Sequence, residues 1–107
     1  MIFEEILKTS KKIHNGRTVL EVLCSVQEEV GELAKEIRIK YGKSYKKPDV
    51  DGVFGESIDI IAAVVDIMYV DNPDITEAEV LEHLKKKLHK WETKETEHQH
   101  FIDSKSI

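Results

Sequence analysis

Six acidic side chains stand at spacings that a helix would turn toward one side. Glu28, Glu29 and Glu32 lie in one stretch, and Glu56, Asp59 and Asp66 in another. The pairs Glu29/Glu32 and Glu56/Asp59 are both separated by three residues, a spacing that points two side chains the same way from a helix. At about 100° per residue, Glu56 and Asp59 fall about 60° apart, and Asp66 lies about 20° from Asp59. The second stretch, residues 55 to 69, is otherwise apolar around its whole circumference, as expected of a helix buried on most sides. A buried ionised carboxylate is costly unless it is paired or bound to a cation. If the two stretches pack antiparallel, four carboxylates converge on one volume and cannot all stay ionised unaided. A hard divalent cation resolves that repulsion. Mg²⁺ takes oxygen ligands, retains several waters and joins carboxylates to substrate phosphates. An all-carboxylate donor set, with a single cysteine and no His-x-x-x-His pair, favours Mg²⁺ or Mn²⁺ over Zn²⁺. Such an ion polarises a phosphoryl oxygen and helps generate a nucleophilic water.

These acids need helices to position them, and the periodicity supplies four. A first amphipathic helix over about 3–14 places Phe3, Ile6, Leu7 and Ile13 inward and stops at Asn15-Gly16. Thr18 is an N-cap for a second helix over about 19–40. Its broad apolar stripe runs through Leu20, Leu23, Val26, Val30, Leu33, Ala34 and Ile37, with Glu29, Glu32 and Glu36 beside it. Gly31 weakens that helix by about 1 kcal/mol relative to Ala and leaves room for a close approach. Residues 41–53, with two glycines and a proline, read as a basic loop. The third helix, over about 54–70, carries Glu56, Asp59 and Asp66 and ends before Pro73. Thr76 and Glu79 form a capping box opening a fourth helix. That helix sets Val80, Leu81, Leu84, Leu88 and Trp91 on one side. Beyond about residue 93 the apolar pattern lapses, so residues 93–107 are expected as a frayed tail. Four helices joined by loops predict an all-α, antiparallel four-helix bundle, a single domain with its core over about 3–92. A third helix apolar all round exceeds what one small bundle can bury. The surplus predicts a homo-oligomer, a homodimer or a homotetramer.

Composition narrows the partners. The chain has 107 residues, 35% of them charged, and a formal net charge of −5, which argues against nucleic acid as the main partner. Cys24 is the only cysteine, so no intrachain disulfide is possible, as in a reducing cytoplasm. No apolar run approaches the ~20 residues of a membrane span, and Met1–Glu5 does not open like a signal peptide, so neither a membrane nor secretion is expected.

Glu28-Glu29-Val30-Gly31-Glu32-Leu33, followed by Glu56-Ser57-Ile58-Asp59, resembles the signature of the MazG-type all-α nucleoside triphosphate pyrophosphohydrolases: Glu-x-x-Glu on one helix and Glu-x-x-Asp on the next. The 23 residues from 33 to 55 take the place of that family's variable insert. The helix order and the late pair Lys90-Trp91 are similar too, and the likeness covers about 18–92. It implies that Glu29, Glu32, Glu56 and Asp59 coordinate Mg²⁺, with Glu28 an accessory ligand or, like Glu29, a water-orienting base. It also implies cleavage of a nucleoside triphosphate between the α and β phosphates, giving a monophosphate and pyrophosphate. Two features depart from the pattern. Gly55 stands where the second motif usually begins with another acid, and Asp66 matches no position of it.

Each feature also has a plainer account. Glu28, Glu29 and Glu32 alone read as a solvated helix face. A helix N-terminus favours acids, which suits Glu56, suits Asp59 less, and does not reach Asp66. Arg38, Lys43, Lys46, Lys47, Lys87 and Lys90 are candidate phosphate contacts, against the alternative of solvated charge. Trp91 is expected in the core or an interface, Cys24 as a small core residue, and the five histidines carry no assigned role. Two rival functions stay open. One is a same-fold enzyme restricted to dUTP or phosphoribosyl-ATP. The other is a non-catalytic helical module whose acidic seam pairs with basic residues of a partner or of its own fourth helix.

Overall fold

The computed structural model describes residues 1–13, 16–42, 47 and 52–105. It is all-helical, in the order α1 (Ile2–Ile13), α2 (Val19–Lys40), α3 (Gly52–Asp71) and α4 (Glu77–Lys105), with no strand among the described residues. None of these helices is long and apolar enough to cross a membrane. The chain divides into two compact units, Met1–Ile75 and Thr76–Ile107.

In the first unit α3 packs against both α1 and α2. Leu7, Val65 and Tyr69 are buried together, with Phe3, Ile6, Val70 and Ile75 against them. Phe3, Ile6 and Leu7 are the inward face expected of α1, met by the distal half of α3, whereas Ile13 is exposed. Gly16 adopts φ +83°, a left-handed conformation that suits glycine and turns the chain out of α1. Thr18 then caps α2: its hydroxyl oxygen accepts from the Glu21 backbone N–H at 3.2 Å. At the other end the Tyr41 N–H donates to Ile37 O at 3.0 Å. α3 begins two residues earlier than its periodicity suggested, because Gly52 can take φ +60° and turn the chain into the helix. Most of the expected loop, Lys43 and Lys46 included, lies outside the described residues; Lys47 is exposed.

The burial of α2 corrects the predicted inward face. Its packed side runs through Val22, Val26, Glu29, Leu33 and Glu36, with Val22 and Glu36 fully buried. The apolar row Leu20, Leu23, Val30 and Ile37, about 110° round the helix, is exposed. α2 is therefore apolar over a wider arc than α3 can cover, and the acids beside the stripe are the ones turned inward. Cys24 lies on the far side from α3 and is exposed, not a core residue. Gly31 is exposed too, with nothing within 4 Å of where a Cβ would stand, so among the described residues it serves no close approach. The apolar girth of α3 is only partly covered within the chain: Phe54, Ile58, Ile61 and Val64 remain exposed.

In the second unit Thr76 caps α4 as the sequence suggests, with Glu79 turned back to its hydroxyl. The Glu79 backbone N–H donates to Thr76 Oγ1 at 3.3 Å, and the Thr76 hydroxyl donates to Glu79 Oε1 at 3.3 Å. Residues 93–105, expected as part of a frayed tail, are helical. α4 continues to Lys105, because residues 77–105 contain neither Gly nor Pro and are rich in strong helix formers. Local pairs reinforce it: Lys86 with Glu82 at 3.4 Å, Gln99 Nε2 donating to Asp103 Oδ1 at 2.9 Å, and the Lys105 ammonium 4.8 Å from the Phe101 ring. Leu84, Leu88 and Trp91 lie exposed along it, so Trp91 is not a core residue.

Candidate metal centre

The packed face of α2 turns Glu29 toward α3, and the first two turns of α3 supply Glu56 and Asp59. One carboxylate oxygen of each lies within 4.8 Å of the other two. Glu56 is buried, Glu29 half-buried and Asp59 exposed, so the group opens to solvent on the Asp59 side. The turn bearing Glu56 is held locally, since the Ser57 hydroxyl donates to Val53 O at 2.8 Å.

The electrostatics follow from that crowding. Burial pushes the Glu56 carboxyl above its usual value of 4.5, and the negative charges of Asp59 and Glu29, a hydrogen bond shared with Glu29 and the charge of Glu32 all raise it further. A proton or a metal ion at this point relieves the same strain. The donor set fits Mg²⁺: all oxygen, all carboxylate, with no histidine or cysteine in the group. Two ligands on opposite sides of Mg²⁺, at about 2.1 Å each, stand about 4.2 Å apart. Three oxygens include at most one such pair, the others standing about 3.0 Å apart, so the spread within 4.8 Å has to contract to hold an ion.

The remaining candidates divide. Glu32 stands near enough for its charge to act on Glu56, yet its carboxylate is exposed and 3.8 Å from the Lys35 ammonium, outside the three-residue group. Glu28 is exposed and also outside it. Arg38, Lys47, Lys87 and Lys90 are exposed; Lys87 and Lys90 belong to the second unit.

Asp66 has a partner the sequence reading missed. Its two carboxylate oxygens accept from the Arg17 guanidinium, Oδ2 from Nη1 and Oδ1 from Nη2 at 3.0 Å. The same Nη2 reaches the Ser10 carbonyl oxygen of α1 at 3.5 Å. Arg17 thus joins α1, the linker and α3. The signal was available: an aspartate deep in an apolar helix demands a cation, and Arg17 is one of two arginines in the chain.

No family model, curated protein or solved structure matches this chain.

Proposed function

We propose that this protein is a Mg²⁺-dependent hydrolase of nucleoside or deoxynucleoside triphosphates, releasing a monophosphate and pyrophosphate. The observation that carries the reading is the approach of Glu29, Glu56 and Asp59, drawn from two helices, to within 4.8 Å of one another. These three would hold the ion, with Mn²⁺ a substitute, and Glu32 would join them on releasing Lys35. Bound there, the ion supplies charge neutralisation to the phosphates and lowers the pKa of a coordinated water. Glu29 or Glu28 orients the water that attacks the α phosphorus. The pyrophosphate leaves in line, its charge offset by lysines, since Arg38 stands on the side of α2 away from Glu29.

The assembly belongs to the same proposal. A cytoplasmic homodimer or homotetramer of antiparallel four-helix protomers would cover the exposed row Leu20, Leu23, Val30 and Ile37, together with Ile58, Ile61 and Val64 of α3. The Arg17–Asp66 pair favours the non-catalytic, ion-paired reading for Asp66 alone, an acid whose role the sequence left open.

Pyrophosphate release from a panel of canonical and modified triphosphates, dUTP and phosphoribosyl-ATP included, with and without Mg²⁺, tests the activity. Mg²⁺-dependent release supports it and ranks the substrates. No release from any of them, together with no heat of Mg²⁺ binding by calorimetry, leaves only the interaction module.

A further inference from the structure

The acidic face of α3 continues into a cleft that the metal site does not use. An open cavity of about 390 Å³ lies between α1 and α3. Its floor on α3 is Ala62 and Ala63 beside Asp66, and its wall on α1 includes Ile6 and Ile13. Glu56, Asp59, Ala63 and Asp66 fall within about 80° of one another around the helix. Ala63 stands about 6 Å along the axis from Asp59, and Asp66 about 10 Å. The cleft therefore begins about where the base of a nucleotide would lie if its phosphates rested on Glu29, Glu56 and Asp59. Its volume is at the small end of ligand pockets, about 300–1,000 Å³, and suits a ring rather than a whole nucleotide. Two alanines on one side and isoleucines on the other leave a slot with flat, apolar walls.

The polar atoms of the cleft select among bases. The Thr9 hydroxyl donates its hydrogen to Glu5 O at 3.0 Å, leaving Thr9 Oγ1 as an acceptor toward the cavity. The Glu5 carboxylate is an acceptor as well, and the Asp66 oxygens keep lone pairs beyond those taken by Arg17. Among the described lining residues only the Ser10 hydroxyl is a side-chain donor toward the cavity. An acceptor-rich edge pairs with an exocyclic amine and repels a carbonyl at the same place.

We propose that the cleft between α1 and α3 is the base subsite for the triphosphate, and that it takes cytosine or adenine, which carry an exocyclic amino group where uracil, thymine and guanine carry a carbonyl, in preference to uracil or thymine. This inference rests on the triphosphate reading above. Its test compares pyrophosphate release from dCTP, dATP, dUTP, dTTP and the base-free deoxyribose 5-triphosphate, in the intact chain and in Ala63→Leu and Thr9→Val. Ala63→Leu fills the slot, and Thr9→Val removes an acceptor at an exposed position without altering size. The expected result is a kcat/KM for dCTP or dATP at least tenfold above that for dTTP. Ala63→Leu then lowers kcat/KM for dCTP at least tenfold relative to the base-free substrate, mostly through KM, and Thr9→Val narrows the preference over dTTP. Equal rates on all four bases overturn the amine selection. Equal losses with and without a base overturn the subsite while leaving the hydrolase standing. An intact chain that releases pyrophosphate from none of the five overturns both. Should Ala63→Leu fail to fold, Thr9→Val alone decides: an unchanged preference overturns the proposal.

Discussion

Removing the Asp66 carboxylate tests whether one ion pair fastens the frame that carries the proposed metal ligands. Asp66→Ala deletes the acceptor of two charge-assisted hydrogen bonds, while Arg17 stays in place with its side chain 22% exposed. Breaking a fully buried pair costs about 3–5 kcal/mol, mostly through the charge left behind. Here the side chains keep 22% and 15% of their exposure, so water partly compensates and the expected loss is about 2–3 kcal/mol. Among the described residues Arg17 Nε already lacks a hydrogen-bond partner, and Nη2 keeps only the long contact to Ser10 O, so the guanidinium has little to fall back on. A loss of that size is a large part of the about 5–10 kcal/mol that holds a small domain together. With a urea slope of about 1–1.5 kcal/mol per M, the midpoint followed by far-UV circular dichroism falls by about 2 M. Replacing both partners by apolar residues, Arg17→Met with Asp66→Leu, recovers most of it, since the penalty lies in the orphaned charge. An Asp66→Ala midpoint within 0.3 M of the parent would refute the reasoning, because the pair would then be a solvated contact of little worth.

Three other outcomes follow from the same geometry. Asp59→Ala abolishes both the calorimetric heat of Mg²⁺ binding and pyrophosphate release while the helical circular dichroism is retained; unchanged turnover removes Asp59 from the site, and Glu32→Ala tests the fourth acid by the same assay. Glu56 is held above its usual value in the folded chain, so between 4.5 and the raised value the native state keeps a proton that the unfolded chain has released. Stability in the absence of metal therefore declines as pH rises through that window. Glu56→Gln flattens the decline and Mg²⁺ offsets it, both measurable by thermal melts across pH. Gly31→Ala, at an exposed mid-helix site with open space for a methyl group, stabilises α2 by about 0.5–1 kcal/mol in urea titration; a destabilised variant would mean that another surface presses on that position.

The helices were readable because each rests on local signals that tertiary packing did not override. Thr18 and Thr76 cap as their positions suggest, and Gly16 and Pro73 interrupt where they should. The errors lie where a local signal was weak or where periodicity stood in for packing. The lapse of apolar residues after Trp91 says that α4 loses a packed face, not that it loses its helix, and helix-forming side chains carry it to Lys105. The apolar arc of α2 was wide enough for two inward faces. The pattern could not choose between them, because the choice depends on which side α3 approaches. That choice is what brings Glu29 inward and leaves Leu23 and Ile37 outside.

The candidate site was legible to the same degree. The i, i+3 acids on two successive helices gave Glu29, Glu56 and Asp59, since spacing alone fixes which carboxylates share a side. It did not separate Glu32, one turn further along the same helix face, whose carboxylate lies close to Lys35. Nor did it identify the cation that answers Asp66, because Arg17 is 49 residues away in sequence and reaches it only through the fold. The third helix therefore solves its buried-charge problem twice and differently. Its distal acid is neutralised from within by a fixed guanidinium. Its proximal acids are pressed together, with a proton held on Glu56 beyond its ordinary range. An internal arginine at both ends would have given a closed structural seam. On the reading proposed above, the absence of such an arginine from the three-carboxylate group, among the described residues, would leave the near end able to exchange a proton for a metal ion.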